Sequence, residues 1–216
     1  MIKKLDKIFF ICGIVMICSE IWKQWVLTGL NGGQYDWWYF PFQLCSLPMY
    51  LLALIPIARN SGVRRSIYTF LMDYCMICGI FVFFDISGMI YPTLSLTIHS
   101  FSWHIVLLGL GITAGISGSA DYTFKGFLKG SAIFWGGCII AELFNFFFHR
   151  LGSINMFYIS PYFQMDQMVF RFFARNFGNL VGIIIYIAAI TLGAFLFHKL
   201  WGIAGARRNQ SRQPEE

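Results

Sequence analysis

The chain has 216 residues, of which 57% are apolar and only 12% are charged, and its mean hydropathy is +0.64. This composition excludes an ordinary soluble domain, in which about a quarter of the residues are charged, and the 19% aromatic content excludes a disordered chain. At about 20 residues for each membrane-spanning helix, the length allows about six spans and no separate soluble catalytic domain. The net charge of +6 is therefore assigned to the cytoplasmic loops of a membrane protein rather than to nucleic-acid binding.

Six apolar stretches follow one another along the chain and predict an all-α fold, a polytopic membrane bundle of about six transmembrane helices. The second stretch is short and contains Pro48 and Pro56, which predicts a kinked or tilted helix. The third stretch is interrupted by Asp73 and Asp85. The six predicted spans cover residues 8–27, 42–58, 67–90, 97–115, 127–148 and 178–200.

The region between the fifth and sixth spans has a different pattern. Within residues 160–177, one helical face is mostly apolar, whereas charged residues lie on the other faces. This distribution predicts an interfacial amphipathic helix that lies along the bilayer surface and does not cross it. The apolar face carries Met165, Met168, Val169, Phe172 and Asn176, and the charged positions are Asp166, Arg171 and Arg175.

The distribution of basic residues predicts the orientation, because cytoplasmic loops of membrane proteins are enriched in Lys and Arg. We expect a single integral membrane domain over residues 1–206 in the cell membrane, both termini cytoplasmic, and a disordered cytoplasmic tail over residues 207–216. The aromatic loop at residues 35–40 then lies at the outer interface. The side opposite the cytoplasm carries only Arg150, Arg171 and Arg175, whereas the cytoplasmic side carries Lys3, Lys4, Lys7, Arg59, Arg64, Arg65, Lys125, Lys129, Lys199, Arg207, Arg208 and Arg212.

This topology places most polar residues of the predicted spans in the outer half of the membrane. Charged groups are costly in hydrocarbon, so the clustering favours a hydrated cavity that opens toward the outer leaflet. For any one of these residues, the alternative is a buried polar pair that joins two helices. The set consists of Glu20, Gln24, Gln43, Cys45, Asp85, His99, His104, Glu142, Asn145, His149 and Asn179.

Cys45 differs from the other five cysteines because it lies in this polar half and beside Pro48. A thiol in apolar surroundings reacts only when a base removes its proton, and His99 or His104 is the candidate base for covalent acyl transfer. The oxyanion would be stabilised by Gln43, Asn145 or a backbone N–H group. The polar residues left around this pair are the candidate substrate-binding residues, namely Gln43, Asp85, Glu142, Asn145 and His149.

Three motifs of the chain resemble those of the YwaF-like family of integral membrane proteins, which is related to the vertebrate TMEM ether-phospholipid acyltransferase. More remotely, the chain is similar to the androgen-induced membrane hydrolases of fatty-acid esters. The resemblance implies a Cys/His acyl-transfer site on Cys45 with His99 or His104, and membrane lipids (phospholipid or lysophospholipid) as partners, with no cofactor or metal. The motifs cover residues 42–48, residues 99–104, and Asn145 followed by residues 152–157.

Two other functions stay open at the level of the sequence. One is a metal-dependent membrane lipid hydrolase, in which zinc would activate water. The other is a substrate-binding or transport subunit with an outward-facing polar cavity, which the length and the number of spans also suit. The zinc ligands of the first alternative would come from Asp85, His99, His104, Glu142 and His149.

Overall fold

The computed structural model describes residues 4–58 and 60–210, with side chains as far as residue 205. Within this part, the protein is all-α, as predicted, and contains seven helices and no strand. The helices are α1 (Lys4–Leu30), α2 (Leu47–Leu54), α3 (Ser61–Phe81), α4 (Leu94–Ile116), α5 (Phe124–Phe148), α6 (Phe170–Phe177) and α7 (Asn179–Gln210).

Four of the described helices are long and apolar enough to cross a membrane, which indicates a multi-pass membrane protein. They correspond to α3, α4, α5 and α7, and two of them continue for one further 3₁₀ turn. The four candidate spans cover Ser61–Phe84, Leu94–Ile116, Phe124–Leu151 and Asn179–Gly205. These agree with the predicted third to sixth spans, apart from shifts at the ends.

Helix α3 is the centre of the bundle and packs against α4, α5 and α7. The Asn60 side chain accepts a hydrogen bond from the Gly62 amide at 2.7 Å and so caps the start of α3. Further along, α3 approaches α4 closely, because a β-carbon at Gly79 would lie 2.9 Å from the Leu108 β-carbon. Every residue of α3 from Ile67 to Ile77 is buried, so this helix has little surface left for lipid.

Helices α1 and α3 begin at the same end of the bundle, where a buried ion pair joins them. Asp6 is only 1% exposed, and its carboxylate lies 2.9 Å from Arg64 Nη1 and accepts a hydrogen bond from the Tyr68 hydroxyl at 2.6 Å. Arg64 also donates to the carbonyl of Ala58 at 3.0 Å, just after α2. We call this end the basic end and the opposite end, which carries residues 35–40, the aromatic end.

The segment from Tyr39 to Ala58 runs antiparallel to α1 over nearly its whole length. Tyr39 accepts a hydrogen bond from Gln24 Nε2 at 2.7 Å, near the aromatic end of α1. Farther along, a β-carbon at Gly13 would lie 2.6 Å from the Leu52 β-carbon, a distance that only glycine permits. At about 1.5 Å per residue, α1 rises about 27 Å between Asp6 and Gln24, and the segment therefore covers that distance.

The prediction of one kinked helix over residues 42–58 was wrong, because only Leu47–Leu54 is α-helical. Pro48 is the second residue of α2, a position whose amide has no partner within the helix, so it starts the helix instead of kinking it. The preceding residues form a 3₁₀ turn at Leu44–Ser46 and irregular backbone. The segment is thus helical only in the half nearer the basic end.

Helix α6 has eight residues, fewer than predicted, and packs against α7. Ala174 contacts Gly182, and the Phe170 and Tyr186 rings lie 5.1 Å apart, so α6 runs antiparallel along the first two turns of α7. Of the predicted apolar face, Met165 is buried, whereas the other four members are exposed. Helix α7 continues to Gln210, so residues 207–210 of the predicted tail are helical, and residues 211–216 lie outside the described residues.

Replacing Arg64 with Met tests the junction at the basic end. The change leaves the Asp6 carboxylate buried without its cationic partner, so we expect the free energy of unfolding to fall by about 3 kcal/mol. The measurement is chemical denaturation of the purified protein in detergent.

The matched control is Arg65→Met, since Arg65 is exposed and, among the described residues, its side chain makes one 3.4 Å hydrogen bond, to the Ala120 carbonyl. We expect this variant to lose less than about 1 kcal/mol. Equal losses in both variants would contradict a structural role for the Asp6–Arg64 pair.

Candidate functional site

The irregular half of the second segment carries Cys45 into contact with α4. The Cys45 carbonyl accepts a hydrogen bond from the indole Nε1 of Trp103 at 3.0 Å. Trp103 is buried, and it lies on the helix that also carries His99 and His104. The bond therefore holds the thiol-bearing residue beside the helix that supplies both candidate bases.

His104 has the tautomer that a general base requires. Its Nδ1 lies 2.8 Å from the carbonyl oxygen of Ser100, which can only accept, so Nδ1 carries the proton. In the neutral ring, Nε2 then has a lone pair, and it has no hydrogen-bond partner among the described residues. A backbone carbonyl that orients the ring in this way leaves Nε2 available to accept a proton.

His99 is engaged differently. Its Nε2 lies 3.3 Å from the Ser19 hydroxyl, which itself donates to the Met16 carbonyl at 2.9 Å. Because the hydroxyl proton is used in that way, His99 Nε2 is the donor to Ser19. The His99 ring also packs between Trp22 and Trp103, at 5.7 and 5.6 Å between ring centroids. His99 is thus a packed ring with its Nε2 proton committed, and His104 is the better candidate base.

A buried charged cluster on α1 lies next to this group. Glu20 is 4% exposed, and its Oε1 lies 2.7 Å from Lys23 Nζ and 2.6 Å from Gln24 Nε2. Lys23 is close enough to act electrostatically on Cys45, His99 and His104. The elements α1, α4 and the irregular segment therefore meet at one polar site.

Cys45 lies near three tyrosine side chains. Cys45, Tyr158 and Tyr186 are half-buried. The Cys45 thiol is close enough to act electrostatically on the phenol groups of Tyr158, Tyr186 and Tyr91. None of these three hydroxyls has a hydrogen-bond partner within the part of the chain that the structure describes. The surroundings of Cys45 therefore include hydroxyl groups that a bound molecule can engage.

Tyr158 lies on a loop that its neighbours hold in an unfavourable backbone conformation. Phe157 and Tyr158 have positive φ values of 57° and 58°, the only described residues other than glycine in that region. Asn145 brackets the loop, since its side chain accepts from the Met156 amide at 2.7 Å and donates to the Met156 carbonyl at 3.2 Å. Such backbone strain persists only where the surroundings enforce it, and it is common at functional sites.

Gln43 adds a second restraint on the same loop. Its Nε2 donates to the Asn155 carbonyl at 3.0 Å, and Asn155 Oδ1 in turn accepts from the Ser160 amide at 3.0 Å. Burial raises the pKa of Tyr158 to about 12, so its hydroxyl keeps its proton at neutral pH. The loop therefore holds a protonated phenol near Cys45.

The five predicted substrate-binding residues lie in different parts of the structure and make different contacts. The amide nitrogens of Gln43 and Asn145 already donate to backbone carbonyls of the loop, and Glu142 accepts from Asn145 at 3.5 Å. Asp85 caps a turn, where the hydroxyl and the amide of Ser87 lower its pKa. His149 stacks on Tyr162 with 4.0 Å between ring centroids. These residues support the surroundings of the site, and they do not converge on one point.

The five suggested zinc ligands are not brought together either. Among the described residues, no group of three or more His, Cys, Asp or Glu side chains could hold a metal ion. The zinc site of the metal-dependent hydrolase is therefore not formed among the described residues.

Sequence reasoning missed Trp103, Tyr158 and Tyr186. Trp103 lies inside the motif at residues 99–104, but nothing in the sequence indicates that its indole bonds to Cys45. Tyr158 directly follows the third motif, but nothing in the sequence indicates that Asn145 bonds to Met156 or that Phe157 and Tyr158 have positive φ values. His198 was also missed. Its Nδ1 lies 2.9 Å from Asp73 Oδ2, although the two residues are 125 positions apart in the chain.

Comparisons with known proteins give no match: no family model matches the chain, and neither a curated protein nor a solved structure is similar to it. The resemblance to the YwaF-like family therefore stays a prediction.

Replacing Asn145 with Leu tests the clamp on the loop. The change removes both hydrogen bonds to Met156 and leaves two backbone groups unsatisfied, so the local opening free energy should fall by about 2–4 kcal/mol. Hydrogen exchange at the Met156 amide measures this opening.

The control is Asn176→Leu, because Asn176 is exposed and bonds only to the Phe172 carbonyl within its own helix. Protection of Met156 should be unchanged there. A Met156 amide that exchanges equally slowly in both variants would show that the clamp is unnecessary.

Proposed function

We propose that the protein is a membrane-embedded acyltransferase or lipid-ester hydrolase that acts on phospholipid acyl chains through Cys45. The observation that carries the proposal is the contact of the Cys45 backbone with helix α4, on which His104 presents an unprotonated Nε2. This arrangement has the two components of covalent acyl transfer, a nucleophile and an oriented base. His99 is the weaker candidate for the base, because its Nε2 proton is donated to Ser19.

The reaction follows from these groups. His104 Nε2 accepts the Cys45 proton, and the thiolate attacks the carbonyl carbon of a lipid ester. The carbon–oxygen bond breaks, and the imidazolium returns its proton to the leaving lipid hydroxyl. The resulting thioester is then attacked by the hydroxyl of a lysophospholipid, which gives transfer, or by water, which gives hydrolysis. His104 removes the proton of that second nucleophile, and Cys45 is released as a thiol.

Tyr158 takes the role of oxyanion donor in this proposal, replacing the amides of Gln43 and Asn145. Its hydroxyl is protonated at neutral pH, has no partner within the described residues and lies close enough to Cys45 to interact with it electrostatically. A donor held by strained backbone is pre-organised, so it needs little rearrangement when negative charge develops on the carbonyl oxygen.

The proposal includes a topology that suits a lipid substrate. We place the protein in the cell membrane with six crossings, formed by α1, the half-helical segment, α3, α4, α5 and α7. The basic end faces the cytoplasm, where Lys and Arg are enriched in membrane proteins, and both termini lie on that side. Helix α6 lies near the outer interface, with its exposed Phe172 and Phe177 available to lipid. Membrane lipids are the partners.

The thioester is testable with an alkyne-tagged phospholipid and the protein in liposomes. We expect acyl label on the wild type that hydroxylamine removes, and none on Cys45→Ala. The control Cys18→Ala should label like the wild type, because Cys18 is exposed on α1. Equal labelling of Cys45→Ala and the wild type would exclude the thioester.

The choice of base is testable in the same assay. His104→Gln should slow labelling by about 10²- to 10⁴-fold, because the thiol then lacks its proton acceptor, whereas His99→Gln should slow it less. A larger loss in His99→Gln than in His104→Gln would reverse the assignment.

Tyr158→Phe tests the oxyanion donor. It removes one hydroxyl and keeps the ring, so we expect the rate of acyl transfer to fall by about 10²-fold at an unchanged substrate KM. The control Tyr162→Phe alters an exposed ring that stacks on His149 and should keep the wild-type rate. If both variants keep it, Tyr158 has no part in the reaction.

A further inference from the structure

A second buried polar site lies nearer the basic end and takes no part in the chemistry proposed for Cys45. Asp73 on α3 is 0% exposed and His198 on α7 is 2% exposed, and Asp73 Oδ2 lies 2.9 Å from His198 Nδ1. On the other side of the ring, His198 Nε2 lies 3.0 Å from the carbonyl oxygen of Thr123. The imidazole therefore joins α3, α7 and the loop that precedes α5.

The proton positions follow from the partners. The Thr123 carbonyl can only accept, so His198 Nε2 carries a proton. A hydrogen bond between Nδ1 and the carboxylate needs one further proton, shared between the two atoms. If that proton leaves, a nitrogen lone pair faces a carboxylate oxygen across 2.9 Å, and the contact becomes repulsive. The observed geometry thus requires one proton that can be gained or lost.

The other carboxylate oxygen gives an independent indication of a ligand. Asp73 Oδ1 is buried and has no hydrogen-bond partner within the described residues. A fully buried carboxylate with one oxygen unsatisfied is costly as an anion, and intramembrane ionisable groups of this kind are commonly proton-binding sites.

The remaining titratable groups around the pair are already engaged. On α3, the Tyr74 hydroxyl donates to Ser131 of α5 at 2.9 Å. In the loop, the Tyr122 hydroxyl donates to the Gly115 carbonyl at 2.7 Å, and Asp121 accepts from Thr123. On α7, the Lys199 ammonium lies 5.2 Å from the centroid of the Phe195 ring. The shared proton is therefore assigned to Asp73 and His198.

We propose that Asp73 and His198 form a proton-binding site that exchanges one proton with water at the basic end and thereby controls the packing of α7. With the proton bound, His198 holds α3 and the Thr123 loop together. Without it, the ring turns away from Asp73, and the hydrogen bond to Thr123 is lost with it. Access is from the loop side, where Asp121 N donates to Thr69 Oγ1 at 2.9 Å and the Asp121 carboxylate is at the surface.

The test uses the full chain in lipid nanodiscs with ¹⁵N-labelled histidine, which gives signals from only four rings. The four are assigned with single His→Gln variants. As the pH is raised over the range in which circular dichroism shows intact helices, we expect His198 to lose its Nδ1 proton in one step. Exchange of the amides from Tyr122 to Gly126 should rise with the same midpoint by about tenfold, the factor that loss of one charge-assisted hydrogen bond implies.

Two variants separate this proposal from a purely structural pair. In Asp73→Asn, His198 should keep a single ring proton at every pH, and the step in amide exchange should disappear. Asp121→Asn removes the nearby surface carboxylate and should keep both transitions. The proposal is overturned if wild-type His198 keeps one protonation state throughout, or if loop exchange does not follow its titration. The wild-type measurement decides this even if Asp73→Asn fails to fold.

Discussion

A peptide group shielded from water must find its hydrogen-bond partners within the protein, and backbone that is not helical cannot supply them from its own helix. The segment from Tyr39 to Ser46 meets this constraint with side-chain donors from other elements. Gln24 donates to the Tyr39 carbonyl, Tyr50 to that of Pro41, and Trp103 to that of Cys45. These bonds permit the break in the helix, and the break is what places Cys45 beside α4.

The same constraint shapes the loop that carries Tyr158. Its backbone is buried at Met156 and Phe157, and the Asn145 side chain supplies both a donor and an acceptor to Met156. Gln43 bonds to Asn155, so the irregular segment and the loop hold each other. Two of the residues that sequence reasoning assigned to substrate, Gln43 and Asn145, thus also hold the backbone of this loop.

Much of the bundle could be predicted from the sequence, because α3, α4, α5 and α7 are long apolar stretches and hydropathy averages detect them. The half-helical segment could not be predicted in this way. The mean hydropathy of residues 42–58 is the same whether their backbone is helical or irregular. Pro48 was informative, but a proline at the start of a helix and a proline at a kink look alike in sequence.

The details of the site depend on contacts between residues that are far apart in sequence. The tautomer of His104 follows from its bond to Ser100 in its own helix, but the role of Trp103 follows from Cys45, 58 positions away. The Asp73–His198 pair is farther apart still, at 125 positions. Hydrophobic periodicity describes which face of one helix is buried, and it does not identify the partner on another helix.

Accessibility of Cys45 to a water-soluble reagent tests the proposed site most directly. A variant that retains Cys45 and lacks the other five cysteines would be reconstituted in liposomes and treated with a small, charged, membrane-impermeant thiol reagent at alkaline pH. We expect the reagent to modify Cys45. A matched variant that retains only Cys18, which is exposed on α1, should stay unmodified. Modification of Cys45 no faster than that of Cys18 would contradict a hydrated site around the thiol.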